Sequence, residues 1–220
     1  MEPMFFAYPE DSNTFPLQYQ YFYGPSVLVA PVTEENSTTA TVYLPNDIFY
    51  DFYTHAPVRG NGSWITLSDV AYTTSKSSQE HKTYIHLTET VPLYIKGGSI
   101  IPMRTESAYT TTELRTKDFT IVVAPALDGT ASGSLYLDEG NNLDQPSTSE
   151  ITFSYANGTF TMGGKFGYNA GNVSISSIVL LGSEGTASVN STSMSMDSRH
   201  GVKTARRNIP LTKTYTARLA

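Results

Sequence analysis

A chain of 220 residues, 39% hydrophobic and 15% charged, is long enough to bury a core and too apolar for a disordered tail. Lys and Arg number 14 against 20 Asp and Glu, and the formal charge of −6, with no basic run interleaved with aromatics, excludes nucleic acid as a partner. No apolar run approaches the roughly 20 residues of a spanning helix, so no membrane partner is expected. The lack of cysteine removes disulfides, thiolate nucleophiles and Cys-ligated zinc.

The chain opens Met1-Glu2-Pro3-Met4-Phe5-Phe6, without the basic start and longer apolar region of a signal peptide. Aromatics are dense at first: Phe5, Phe6, Tyr8, Phe15, Tyr19, Tyr21, Phe22 and Tyr23. These first two dozen residues fit neither of the modules that follow. From there the sequence reads as β, in short segments rich in β-branched and aromatic residues. Expected strands are Thr41–Leu44, Ile48–Thr54, Trp64–Leu67, Thr83–Leu87, Pro92–Ile95, Phe119–Ala124, Ser134–Leu137, Ile151–Tyr155, Thr159–Met162, Val173–Leu181 and Thr212–Leu219. Turn formers separate them, and Asn157-Gly158 suits the positive φ of a type I′ hairpin turn.

No window longer than about a dozen residues carries the i, i+3, i+4, i+7 apolar stripe of a helix. The fold expected is all-β, with two β-sandwich-like modules at 25–102 and 103–220. A polar linker, Met103 to Thr116, would hold one helical turn around Thr112–Arg115.

Catalytic groups are hard to find. Glycoside hydrolysis needs two carboxylates about 5–9.5 Å apart, and the candidates are Glu34-Glu35, Asp51, Asp69, Asp128 and Asp138-Glu139. Glu34-Glu35 reads as a solvated turn and Asp138-Glu139-Gly140 as a β-turn. Asp51 lies inside Phe49-Tyr50-Asp51-Phe52-Tyr53, where burial would raise its pKa unless it finds a partner. It is either a site residue or a hydrogen-bonding one.

The histidines, His55, His81, His86 and His200, form no i, i+4 pair, and His81 and His86 fall on opposite faces of a strand. Gly97-Gly98-Ser99 lacks the closing glycine of a nucleophile elbow and reads as a turn into a buried strand. No phosphate loop is present. We therefore expect no catalytic, substrate-binding or metal residue and no cofactor. Trp64 and the other aromatics are either core packing or a platform on which sugar rings stack.

Ser and Thr make up about a quarter of the chain, which holds five Asn-x-Ser/Thr sequons, at Asn36, Asn61, Asn157, Asn172 and Asn190. Chance alone gives about two to three in such a composition. The excess points to a secretory glycoprotein. That conflicts with the missing signal peptide unless a leader lies upstream.

Four motifs in order carry a resemblance. Met4-Phe5-Phe6-Ala7-Tyr8-Pro9-Glu10-Asp11 with Gln20-Tyr21-Phe22-Tyr23-Gly24-Pro25-Ser26-Val27-Leu28-Val29-Ala30-Pro31-Val32 resembles glycoside hydrolase family 31 where the chain leaves the catalytic (β/α)8 barrel. Tyr43-Leu44-Pro45 with Phe49–Thr54, then Val91–Pro102, are similar to strand signatures of that family's proximal C-terminal domain. Gly129–Gly140 resembles the distal C-terminal domain of fungal α-glucosidases. Phe49 and Tyr53 stand where the family has Trp, and Lys96 where it has Arg. The segment Tyr72 to Thr83 is longer than expected, and the similarity runs over about the first 140 residues.

The resemblance implies a remnant of the barrel's end at 1–24, the proximal C-terminal β-domain at 25–102 and the distal one at 103–220. It implies the accessory region of a retaining α-glucosidase that hydrolyses terminal α-glucosidic bonds. Its catalytic carboxylates lie upstream, so the chain alone is inactive. The implied partner is that barrel, covalently joined or as a separate subunit, and oligosaccharide meets the protein only there. The implied location is extracellular. Two other readings stand beside this one: the same region of an α-xylosidase, or a free-standing carbohydrate-binding or structural β-sandwich protein.

Overall fold

Apolar residues at alternate positions drive strands to cover a core with one face, and that pattern dominates the chain. The computed structural model describes residues 1–35, 37–68, 70, 91–140, 142–182, 194–197 and 201–219, with 194–197 as backbone alone. Strands make up about half of them, with two single-turn α-helices and one 3-10 turn, so the fold is all-β. Two units result: Met1–Tyr53 with Val58–Lys96, and Gly97–Ala220 with Thr54–Pro57.

The first unit holds a six-stranded sheet and a two-stranded ribbon. The sheet runs β1 (Glu2–Pro3), β2 (Tyr21–Tyr23), β3 (Val27–Val29), β8 (Leu93–Lys96), β5 (Ile48–Asp51) and β6 (Pro57–Arg59). Antiparallel register sets Phe22 opposite Leu28 and Leu28 opposite Tyr94, one buried row across three strands. The ribbon pairs β4 (Thr39–Leu44) with β7 (Ser63–Ser68). Its inward residues Val42, Leu44, Ile65 and Leu67 close on Phe22, Leu28, Phe49 and Tyr94, together with Met4 from α1 (Met4–Ala7). Residues 1–24 thus contribute Met4 and Phe22 to this core.

The second unit is one nine-stranded mixed sheet. Its order is β15 (Met194–Asp197), β16 (Val202–Pro210), β14 (Ser174–Leu180), β10 (Phe119–Ala124), β9 (Ser99–Arg104), β11 (Ala131–Leu137), β12 (Ser149–Ala156), β13 (Thr159–Phe166) and β17 (Tyr215–Arg218). The pairs β10–β14 and β9–β11 are parallel, and the others antiparallel. A single core draws on β9 to β14 and on β16, with Leu219 beyond β17, so the sheet curls over itself as wide sheets do. Gly133 makes this possible locally, because a Cβ there would collide with the Ile100 carbonyl oxygen of β9.

The expected elements are met in part. The linker does not begin at Met103: β9 runs through Pro102 to Arg104, whose partner is Phe119. The helical turn α2 (Thr111–Leu114) does form, capped where the Thr110 hydroxyl accepts from the Glu113 N–H at 3.1 Å. Strand β16, nine residues long, is absent from the expected set. The expected strand Thr83–Leu87 lies outside the described residues.

Candidate functional site

The N-terminal segment is fastened to the first unit by polar side chains. The Tyr8 hydroxyl donates to Asp47 at 3.0 Å, and the Tyr43 hydroxyl to Asp11 at 2.7 Å. Asp11 also accepts from the Asn13 N–H at 3.1 Å, capping the 3-10 turn Ser12–Thr14. The Lys96 ammonium lies 4.9 Å from the centre of the Tyr8 ring, a cation–π contact. Burial, then the negative charge of Asp47 and its hydrogen bond, holds the Tyr8 phenol far above its ordinary range. These groups are locked into structure rather than poised for proton transfer.

Aromatics left outside this network form two surfaces. Phe5 packs edge-on against Phe6 at 5.0 Å and Phe15 at 6.3 Å, and all three are exposed. Phe22 does not join them, because alternation along β2 turns it into the core and leaves Tyr23 outside. The second surface surrounds Trp64, which is 55% exposed, so core packing does not describe it. A cleft of about 330 Å³ lies against Trp64, between Tyr19, Pro16 and Pro31.

Among the described residues, the candidate carboxylates do not assemble into a pair. Asp51 is only half-buried, and accepts from the Tyr53 N–H at 3.0 Å in a local turn. Asp128 caps its own turn by accepting from the Thr130 N–H at 2.9 Å and hydroxyl at 2.8 Å, and these bonds lower its pKa. Asp138 pairs with Arg115 at 3.2 Å, and Glu139 accepts from the Asn142 side chain. Glu34 and Glu35 are exposed in a turn closed by the Ser37 N–H on the Glu34 carbonyl. Asp69 lies outside the described residues, as do His81, His86 and His200.

His55 is half-buried, with φ +61°. Ser99 is buried at the start of β9, after a turn at Gly98 with φ +87°. Among the described residues, no group of His, Asp and Glu is arranged to hold a metal.

A cleft of about 360 Å³ in the second unit is bordered by Arg104, Arg115, Tyr136, Asp138 and Tyr168. Its cations are committed: Arg104 sits 3.9 Å from the centre of the Phe119 ring and donates to the Lys117 carbonyl, while Arg115 holds Asp138. Burial, with the neighbouring Arg115 charge, lowers the Arg104 pKa.

Three sequon asparagines, Asn61, Asn157 and Asn172, are exposed outside strands, while Asn36 and Asn190 lie outside the described residues. Asn157 (φ +50°) and Gly158 (φ +74°) make the expected hairpin turn between β12 and β13.

Comparison with known proteins assigns this arrangement. Residues 1–101 match the profile of the glycosyl hydrolase family 31 C-terminal domain. A probable alpha/beta-glucosidase agdC of Neosartorya fischeri is 45% identical over 212 residues, 96% of this chain and 22% of that protein. The chain belongs to glycoside hydrolase family 31. A namesake from Aspergillus flavus is 49% identical over 182 residues, covering 83% of this chain and 19% of that protein. The family 31 chain therefore spans about a fifth of the length of the curated relatives it matches, as a C-terminal portion. The likeness also reaches well past residue 140, where the motifs fade.

A crystal structure of a glucosidase II alpha subunit superposes with a TM-score of 0.76 at 19% identity, over 99% of this chain and 25% of that one. At that identity it speaks for the family 31 fold alone. Sequence reasoning missed the Trp64 cleft because the turn 16–20 that closes it carries no periodic signal.

Proposed function

We propose that the chain is the C-terminal accessory β-region of a secreted, retaining α-glucosidase, braced against a catalytic barrel and carrying no catalytic group itself. The observation that carries this reading is an alignment covering 96% of the chain and only 22% of its fungal relative. Retaining hydrolysis needs a nucleophilic carboxylate and a second one as acid and base. Here Asp51, Asp128 and Asp138 serve turns and an ion pair.

Phe5, Phe6 and Phe15 supply an apolar surface for a barrel to cover, since exposed aromatic clusters mark contact sites. The sequons at Asn36, Asn61, Asn157, Asn172 and Asn190 support passage through the secretory pathway, with the signal peptide upstream.

The test has two readings. The purified chain is expected to leave maltose unhydrolysed, and turnover by it would overturn the proposal. In culture fluid, an antibody to this region should detect a polypeptide well above 24.1 kDa that tracks with α-glucosidase activity and shrinks when N-glycans are removed. A free band near that mass, apart from all glycosidase activity, would instead mean a self-standing binding module.

A further inference from the structure

The cleft beside Trp64 has a composition that stability does not explain. Trp64 stands on the outward face of the β4–β7 ribbon, where its register partner is Tyr43. The two rings meet edge-on at 5.4 Å, with 62° between their planes. Tyr43 is immobilised by its hydroxyl bond to Asp11 and by the Gln20 side chain on its backbone. The indole is therefore oriented by a fixed neighbour while more than half of it stays open to solvent.

Tyr19 borders the same cleft and is 65% exposed. An exposed indole and an exposed phenol cost hydration free energy that a core position would recover, and neither serves the core described above.

Between them, Pro16 and Pro31 form part of the wall, with φ fixed by their rings, so the cleft is largely formed in advance. Gln18, Thr33 and Thr41 line it with one carboxamide and two hydroxyls, all exposed. The lining contains no Asp, Glu, Lys, Arg or His. A ligand bearing phosphate or carboxylate would find no counter-charge here. A neutral ligand with an apolar face and a rim of hydroxyls matches each part, because aromatic faces stack on the C–H face of a pyranose while amides and hydroxyls pair with its edges. The volume of about 330 Å³ falls at the small end of organic ligand sites, suited to a short stretch of sugar chain.

From this we infer that the Trp64–Tyr19 cleft is a surface site for neutral oligosaccharide. It would hold a polymeric substrate near an enzyme without reacting with it. The choice of an α-linked probe rests on the function proposed above. The site itself rests on the lining, and the readout is binding rather than hydrolysis, so the two proposals fail separately.

Trp64 is the chain's single tryptophan, so intrinsic indole emission reports on this cleft alone. Chain produced without glycans would be titrated with maltoheptaose and, in parallel, with cellohexaose. A saturable change in Trp64 emission with either sugar is expected, and silence with both overturns the site. Tyr19→Ala, at an exposed position, keeps the reporter and should weaken the apparent affinity about tenfold. Phe6→Ala, in the other aromatic cluster, should leave it unchanged. Equal binding by wild type and Tyr19→Ala, or equal weakening by Phe6→Ala, would reduce the signal to nonspecific contact and overturn the assignment.

Discussion

The side chain of Gln20 treats residue Tyr43 as a strand would. Its Oε1 accepts from the Tyr43 N–H at 3.0 Å, and its Nε2 donates to the Tyr43 carbonyl at 2.5 Å. Among the described residues, strand β4 is paired on one side only, by β7, and would otherwise present open backbone groups at its other edge. Gln20, itself buried, answers both groups with one amide.

Removing that amide leaves a buried donor and acceptor unmatched. Gln20→Leu is expected to destabilise the chain by about 2 kcal/mol or more, read as a lowered urea midpoint. Gln20→Glu should also destabilise, because it sets a second acceptor against the Tyr43 carbonyl. A midpoint unchanged in both variants would mean that the contact contributes nothing.

Two strand glycines offer an internally controlled test. A Cβ at Gly133 would meet the Ile100 carbonyl oxygen, whereas one at Gly163, on β13, would enter open space. Gly133→Ala should cost about 1–3 kcal/mol through overpacking. Gly163→Ala should be neutral or mildly stabilising in thermal melts. Equal melting temperatures for the two variants would contradict the close β9–β11 approach.

Tyrosine ionisation sets an alkaline limit. Burial, with the nearby negative Asp51, pushes the Tyr94 pKa up to about 12. The unfolded phenol ionises near 10. A group raised on folding contributes stability that is complete below the unfolded value and lost as pH climbs through the folded one. Stability should therefore fall between about pH 10 and 12, by on the order of 2 kcal/mol from this residue. Tyr94→Phe should flatten that decline in melts followed across the range. An alkaline decline left unchanged in Tyr94→Phe would contradict the burial.

The Asn157 sequon can be separated from its turn. In protein recovered from a secretory host, Asn157→Gln and Thr159→Ala should each remove one glycan from the intact mass. Only Asn157→Gln should also destabilise, by about 1 kcal/mol, because glutamine tolerates φ +50° less well than asparagine. An unchanged mass in both would show the site unoccupied.

Strand β10 was legible residue for residue, because Phe-Thr-Ile-Val-Val-Ala is a short β-branched run between Lys117-Asp118 and Pro125. The β12–β13 hairpin was legible too, since Asn-Gly specifies its turn. Strand β16 was not: Lys203, Arg206, Arg207 and Asn208 carry no apolar signal, and pairing with β14 on one side and β15 on the other gives that run its strand geometry. The aromatic density at Tyr21-Phe22-Tyr23 was visible, but the face each ring takes depends on where β3 lies. The Trp64 cleft brings together residues from distant parts of the chain, and nothing short of the fold announces that meeting.

The parallel pairing of β10 with β14 has a consequence for how the second unit comes to exist. Residues 119–124 wait for residues 174–180, with β11, β12 and β13 built in between. Until β14 emerges from the ribosome, Ile121, Val122 and Val123 sit on a strand with one bare edge, the geometry that recruits foreign strands. The same holds for any chain cut short before residue 174. Such a product would retain its hairpins and still tend to aggregate, so proteolytic trimming or a premature stop in this stretch would cost the cell the whole unit rather than its tail.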